Sequence, residues 1–124
     1  MLKKIFLAAF MMTLIFSQEV SAQDAWVYAK DGIEYFVMNE TAENNSQPGH
    51  VIIDVKVKNV KQGETPELEG VHDYHFELSE GHTRYSIDGE THDWVHSNIV
   101  TQKVCVYCLN FLGINVGKVL RMTD

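Results

Sequence analysis

Hydrophobic and polar residues alternate along positions 50–61. Val51, Ile53, Val55 and Val57 fall on one side, and Asp54, Lys56 and Lys58 on the other. A period of two is that of a β-strand. One apolar and one charged side is the habit of an antiparallel sheet packed on a single face. The same alternation marks residues 24–30, 33–38, 71–79 and 82–87. Asp31-Gly32, Glu80-Gly81 and Asp88-Gly89 separate these runs, and Asp-Gly is a strong hairpin signal. Residues 39–49, with Asn44-Asn45-Ser46 and Pro48-Gly49, read as a polar loop, and residues 62–70 as an acidic one.

The period changes after Ser97. Val100, Val104, Cys108 and Phe111 recur at helical spacing, and Cys105, Leu109 and Leu112 widen the stripe. Ser97 or Asn98 is placed to cap the first turn, and Gly113 to end the helix in a left-handed residue. Thr101, Gln102, Lys103 and Asn110 are expected to face water. A buried strand through 104–109 is the competing reading. Residues 114–121 read as a last short strand. The predicted fold is therefore one small α+β domain, a five- or six-stranded antiparallel sheet packed by one C-terminal helix.

The first 22 residues follow a different logic. Lys3 and Lys4 precede an apolar run over 5–16, broken only by Thr13, and Val20-Ser21-Ala22 has the small residues of a signal-peptidase site. That run is too short to cross a bilayer core about 30 Å thick. Residues 1–22 are thus expected to be a signal peptide and 23–124 the exported domain, in the periplasm or at the cell surface. No second hydrophobic span follows. Counted without Lys3, Lys4 and Glu19, the remaining chain carries 8 basic and 16 acidic residues, a formal charge of −8. That balance argues against nucleic-acid binding through bulk positive charge.

Three groups of residues could carry chemistry. The first is the histidines, all six of which lie between His50 and His96. His92 and His96 are spaced i, i+4 and would share one helical face, with Asp93 and Glu90 nearby as oxygen donors, so zinc is a possible cofactor there. His72 and His75, three apart on a strand, would point to opposite faces. The second is the Cys105–Cys108 pair, either a local disulfide or two buried thiols. It falls two turns into the predicted helix within an apolar run, whereas a reactive thiol usually sits at a helix start. The third is aromatic. Trp26, Tyr28, Tyr35 and Trp94 would form a binding patch if they lie on a wet sheet face. No serine sits in a Gly-x-Ser-x-Gly elbow, and no phosphate-cradling glycine loop is present.

Ala25-Trp26-Val27, Glu34-Tyr35-Phe36 and the alternating run 51–60 together resemble small exported bacterial proteins of the surface-adhesin protein E-like type. They also resemble short uncharacterised envelope proteins of anaerobic bacteria with the same opening. The likeness covers the first half of the exported chain. It implies a small antiparallel sheet packed with a helix and the binding of host extracellular proteins. Cys105 and Cys108 have no counterpart in that pattern, and no binding residue carries over from it. The sequence thus predicts an exported, non-catalytic binding module of the bacterial envelope, for a protein or small-molecule ligand. A periplasmic zinc-binding protein and a small thiol-redox protein are the alternatives.

Overall fold

A computed structural model describes residues 23–122. The expected signal peptide, 1–22, lies outside the described residues. Seven antiparallel strands form one open sheet: β1 (Asp24–Lys30), β2 (Ile33–Met38), β3 (Glu43–Asn44), β4 (His50–Lys61), β5 (Glu67–Ser79), β6 (His82–Ile87) and β7 (Glu90–Asp93). Their order across the sheet is β1-β2-β4-β5-β6-β7, with β3 beside β4 beyond the end of β2. Two helices follow, α1 (Ile99–Phe111) and α2 (Val116–Leu120). The α+β class and the antiparallel pairing agree with the sequence reading. Among the described residues the strands number seven rather than five or six, and the α-helices two rather than one.

The turns carry the expected backbone. Asp31 and Gly32 both have positive φ (54° and 80°), as do Asp88 and Gly89 (53° and 87°). Two successive left-handed residues match the twist of the flanking strands, and Asp and Gly tolerate that conformation best. Strand β4 obeys its alternation: Val51, Ile53, Val55 and Val57 are buried, together with Val37, Tyr74, Phe76 and Tyr85 from neighbouring strands. Val100, Val104, Cys105 and Cys108 of α1 close this core from above. Each such side chain removed from water is worth up to about 1.5–3 kcal/mol, so this inner face holds the fold together.

Helix α1 begins where predicted. Asn98 Oδ1 accepts the Thr101 amide at 2.8 Å, and Gly113 ends the helix with φ 68°. The helical stripe turns differently from the expected one. Thr101, expected in water, is fully buried with its Oγ1 unpartnered, while Phe111 is exposed. Within the segment 114–121 the chain forms the helix α2, Val116–Leu120, and not a strand. Asn115 Oδ1 accepts the Lys118 amide at 3.0 Å, and Val116, Val119 and Leu120, at helical spacing, pack on the core. The loop 39–49 also has more structure than predicted, with a 3-10 turn at Asn39–Thr41 and then β3. Tyr107 of α1 donates to Asn39 Oδ1 at 2.7 Å and ties the helix to that turn.

Candidate functional site

The face of the sheet opposite the helices carries the chemistry. Antiparallel register stacks its side chains into rows across the strands. One row runs Glu43, Asp54, His75, Ser86, Thr91 over five strands. The next contains Lys56 and Asp73, and the third holds Trp26, Phe36, Lys58 and Val71. Internal strands have spent their backbone groups on the ladder, so only side chains can contact anything that lies on this face.

Those side chains are organised into pairs. His75 Nδ1 lies 2.6 Å from Asp54 Oδ1, and Asn45 Nδ2 donates to the other oxygen of that carboxylate at 2.8 Å. An ionised carboxylate only accepts, which places the ring proton on Nδ1 and leaves Nε2 as the acceptor of the neutral imidazole. Lys56 Nζ donates to Asp73 Oδ1 at 2.6 Å, and Ser86 Oγ and Thr91 Oγ1 are 3.0 Å apart. Thr41 Oγ1 accepts the Lys56 amide at 2.8 Å and donates to the Met38 carbonyl at 2.7 Å, joining the end of β2 to β4. Thr41, Glu43, Asp54, Lys56, Asp73 and His75 help line an open cleft of about 740 Å³. The pairs are half-exposed, so they add little to stability and are cheap to rearrange around a ligand.

A second imidazole–carboxylate pair lies beside the cleft. Asp88 Oδ2 is 2.6 Å from His72 Nδ1, and its Oδ1 accepts the Asp73 amide at 2.8 Å. The His72 hydrogen bond, then the Asp73 amide, hold the Asp88 carboxyl below the usual carboxylate range. As expected, His72 and His75 do not share a face: they stand opposite Val57 and Asp54 of β4 and pair with different aspartates.

The predicted site residues are dispersed. Trp26 is 54% exposed and stands on the open face. A bulge at Val27 sends Tyr28, two residues on, to the other side, where it pairs with Tyr35 and packs with it against the core. Trp94 also packs inward, edge-on to Phe76 and Tyr85 at 6.4 and 6.1 Å between ring centres. The expected four-residue aromatic patch is therefore replaced by Trp26 with Phe36 and Val71 of its row. Burial, with lesser contributions from Asp31 and Glu69, raises the Tyr35 phenol, and burial pushes Tyr74 up to about 12.

His92 and His96 do not share a helix. His92 is in β7 with its ring against Tyr85, 5.3 Å between centres, while Asp93 ends that strand and His96 closes the following 3-10 turn. The i, i+4 spacing therefore has no helical meaning here. Among the described residues, no group of three or more His, Cys, Asp or Glu is arranged to hold a metal ion. Cys105 and Cys108 are free thiols in the core, and burial pushes both up to about 12, the neighbouring Cys105 adding to the rise at Cys108. Sequence reading missed the Asp54–His75 and Lys56–Asp73 pairs, whose partners are 21 and 17 residues apart.

The chain matches no protein-family model, and no curated protein or solved structure resembles it significantly. Among the described residues, no helix is long and apolar enough to cross a membrane.

Proposed function

We propose that this protein is an exported, non-catalytic binding module of the bacterial cell envelope, meeting its partner with the open face of its sheet. The observation that carries the reading is the contrast across β4. One side is sealed under α1 and α2, while the other displays ordered, half-exposed polar pairs around a 740 Å³ cleft with Trp26 on the same face. Clefts with a few convergent polar groups are where ligands bind. Export is supported by the tripartite pattern of residues 1–22. A zinc role centred on His92, His96 and Asp93 has less support, since His92 and Asp93 are successive residues of β7 and His96 lies in the turn after it. A thiol-redox role has less support because burial suppresses the thiolate form.

The test is retention of an envelope component by the immobilised protein. Lys56→Glu with Trp26→Ala should abolish retention, whereas Lys103→Glu on the outer side of α1 should not. The retained component should also leave the column with unchanged mass. Loss with Lys103→Glu and not with the sheet variant would reject the open face as the site, and a cleaved or modified component would reject a non-catalytic role.

A further inference from the structure

The open face has a chemistry narrower than binding in general. The groups around the cleft come as donor–acceptor pairs already closed on themselves: His75 with Asp54, Lys56 with Asp73, Ser86 with Thr91. Lys56, the cation of the cleft lining, is spent on Asp73, and Glu43 and Asp54 add negative charge. An anionic ligand would meet these carboxylates without a spare partner. A cationic ligand would find, among the described residues of the cleft, Glu43 alone without a cation, since Asp73 and Asp54 are already held by Lys56 and His75. A hydroxyl group both donates and accepts, so it can join each pair as a third member without leaving a charge unmatched.

An extended peptide draws its affinity from free backbone groups at a sheet edge. The cleft lies over residues 54–56 of β4 and 73–75 of β5, whose backbone is taken up by neighbouring strands or, at the Lys56 and Asp73 amides, by Thr41 and Asp88, so a ligand there must carry its polar groups around its own perimeter. The same face supplies an apolar platform. Trp26 is flanked by Phe36; beyond it in that row stands Lys58, ion-paired to Asp24 at 2.8 Å, and then the exposed Val71. From strand geometry Trp26 stands roughly 15 Å from the Asp54–His75 pair, two strand spacings across the sheet and a few residues along it. A flat indole suits the C–H face of a sugar ring, and the cleft suits the hydroxyls of rings further along.

We infer that the open face binds a neutral, linear oligosaccharide, with one ring on Trp26 and others hydrogen-bonded along Lys56–Asp73, Asp54–His75 and Ser86–Thr91. The inference rests on the binding-module reading and names its ligand class.

Amide and indole shift mapping on isotope-labelled protein, isolated after expression of the full chain, decides it. The probes are neutral tetrasaccharides (β-1,4-glucose, β-1,4-N-acetylglucosamine, β-1,4-mannose and α-1,4-glucose), polygalacturonate and a neutral ten-residue peptide. At least one neutral tetrasaccharide should shift the Trp26 indole together with Lys56, Asp73, His75 and Ser86, and should leave α1 and α2 unmoved. Trp26→Ala should weaken that response roughly tenfold, the scale of one good aromatic contact, with core shifts unchanged as proof of folding. Asp73→Asn should weaken it while leaving the Trp26 indole responsive.

Shifts elsewhere, or none with any neutral sugar at millimolar concentration, would overturn the inference. A response to the peptide or polygalacturonate alone would overturn it too, yet leave the binding-module reading standing. If no probe binds and the envelope-retention experiment also fails, both readings fall.

Discussion

The two faces of β4 are built from one unbroken stretch of chain, yet they obey opposite rules. On the inner face Val51, Ile53, Val55 and Val57 are nearly inaccessible and depend on volume and shape. On the outer face Asp54 holds the His75 ring and Lys56 the Asp73 carboxylate, each at 2.6 Å, while remaining wet. A deletion inside leaves a cavity that the fold relaxes only in part. A deletion outside leaves a group that water can solvate. Stability and recognition are therefore separable along β4 from Val51 to Val57; at Lys58, ion-paired to Asp24 with both side chains largely buried, the outer face is structural too.

The most direct way to break that comparison is to truncate neighbours on β5. Phe76 is fully buried and His75, beside it, is on the open face. Phe76→Ala should cost about 3–5 kcal/mol in denaturant unfolding, as large aromatic truncations in cores do. His75→Ala should cost less than about 1 kcal/mol. Comparable losses from the two would mean that the outer pairs are structural rather than displayed.

The second largest effect belongs to the inner face at alkaline pH. Cys105, Cys108 and Tyr74 all titrate near 12 in the folded chain, against 9.0 and 10.0 for ordinary thiols and phenols. The unfolded chain therefore gives up these protons first. The stability they contribute is complete below the unfolded values and drains away as pH rises through about 9 to 12. The melting temperature should fall steeply across that window, and Cys105→Ala with Cys108→Ala should flatten the fall. Iodoacetamide should label the folded reduced protein slowly at neutral pH. Labelling as fast as an exposed low-pKa cysteine would contradict the burial that drives both expectations.

A third effect has the opposite sign. Thr101 is fully buried with an unpartnered hydroxyl in the first turn of α1. Thr101→Val keeps the shape and removes the unmet polar group, so stability should rise by about 1 kcal/mol in chemical denaturation. A loss instead would show that the hydroxyl is satisfied.

What the sequence disclosed follows the range of each interaction. The β4 alternation, the two Asp-Gly turns and the Asn98 cap are decided within a few residues, and all three were legible. The segment 114–121 was misread because Val116, Gly117 and Val119 are poor helix formers. The Asn115 cap and tertiary packing override that weak preference. His92 and His96 misled for the converse reason, since helical spacing was assigned to residues that continue from a hairpin. The candidate site was the least legible part. Trp26 and Tyr28 share parity in the sequence, and a single bulge at Val27 sends them to opposite faces. The Asp54–His75 pair exists only once the β4–β5 register is set, and nothing local to either residue announces it.

The smallest expected effect lies at the turn after β6, where Asp88 joins His72 to the Asp73 backbone. Its carboxyl titrates below the ordinary range in the folded protein, chiefly through the His72 hydrogen bond and then the Asp73 amide. On acidification the unfolded chain therefore takes up this proton before the folded one does. The stability Asp88 supplies is present above the unfolded carboxyl's pKa of 3.8 and is lost as pH falls through its lower folded value. Between about pH 5 and pH 2 the melting temperature should fall more gently in Asp88→Asn than in the wild type. The site is open to water, so added salt should shrink the difference. Identical acid slopes for the two proteins would mean that the His72–Asp88 contact adds nothing in solution.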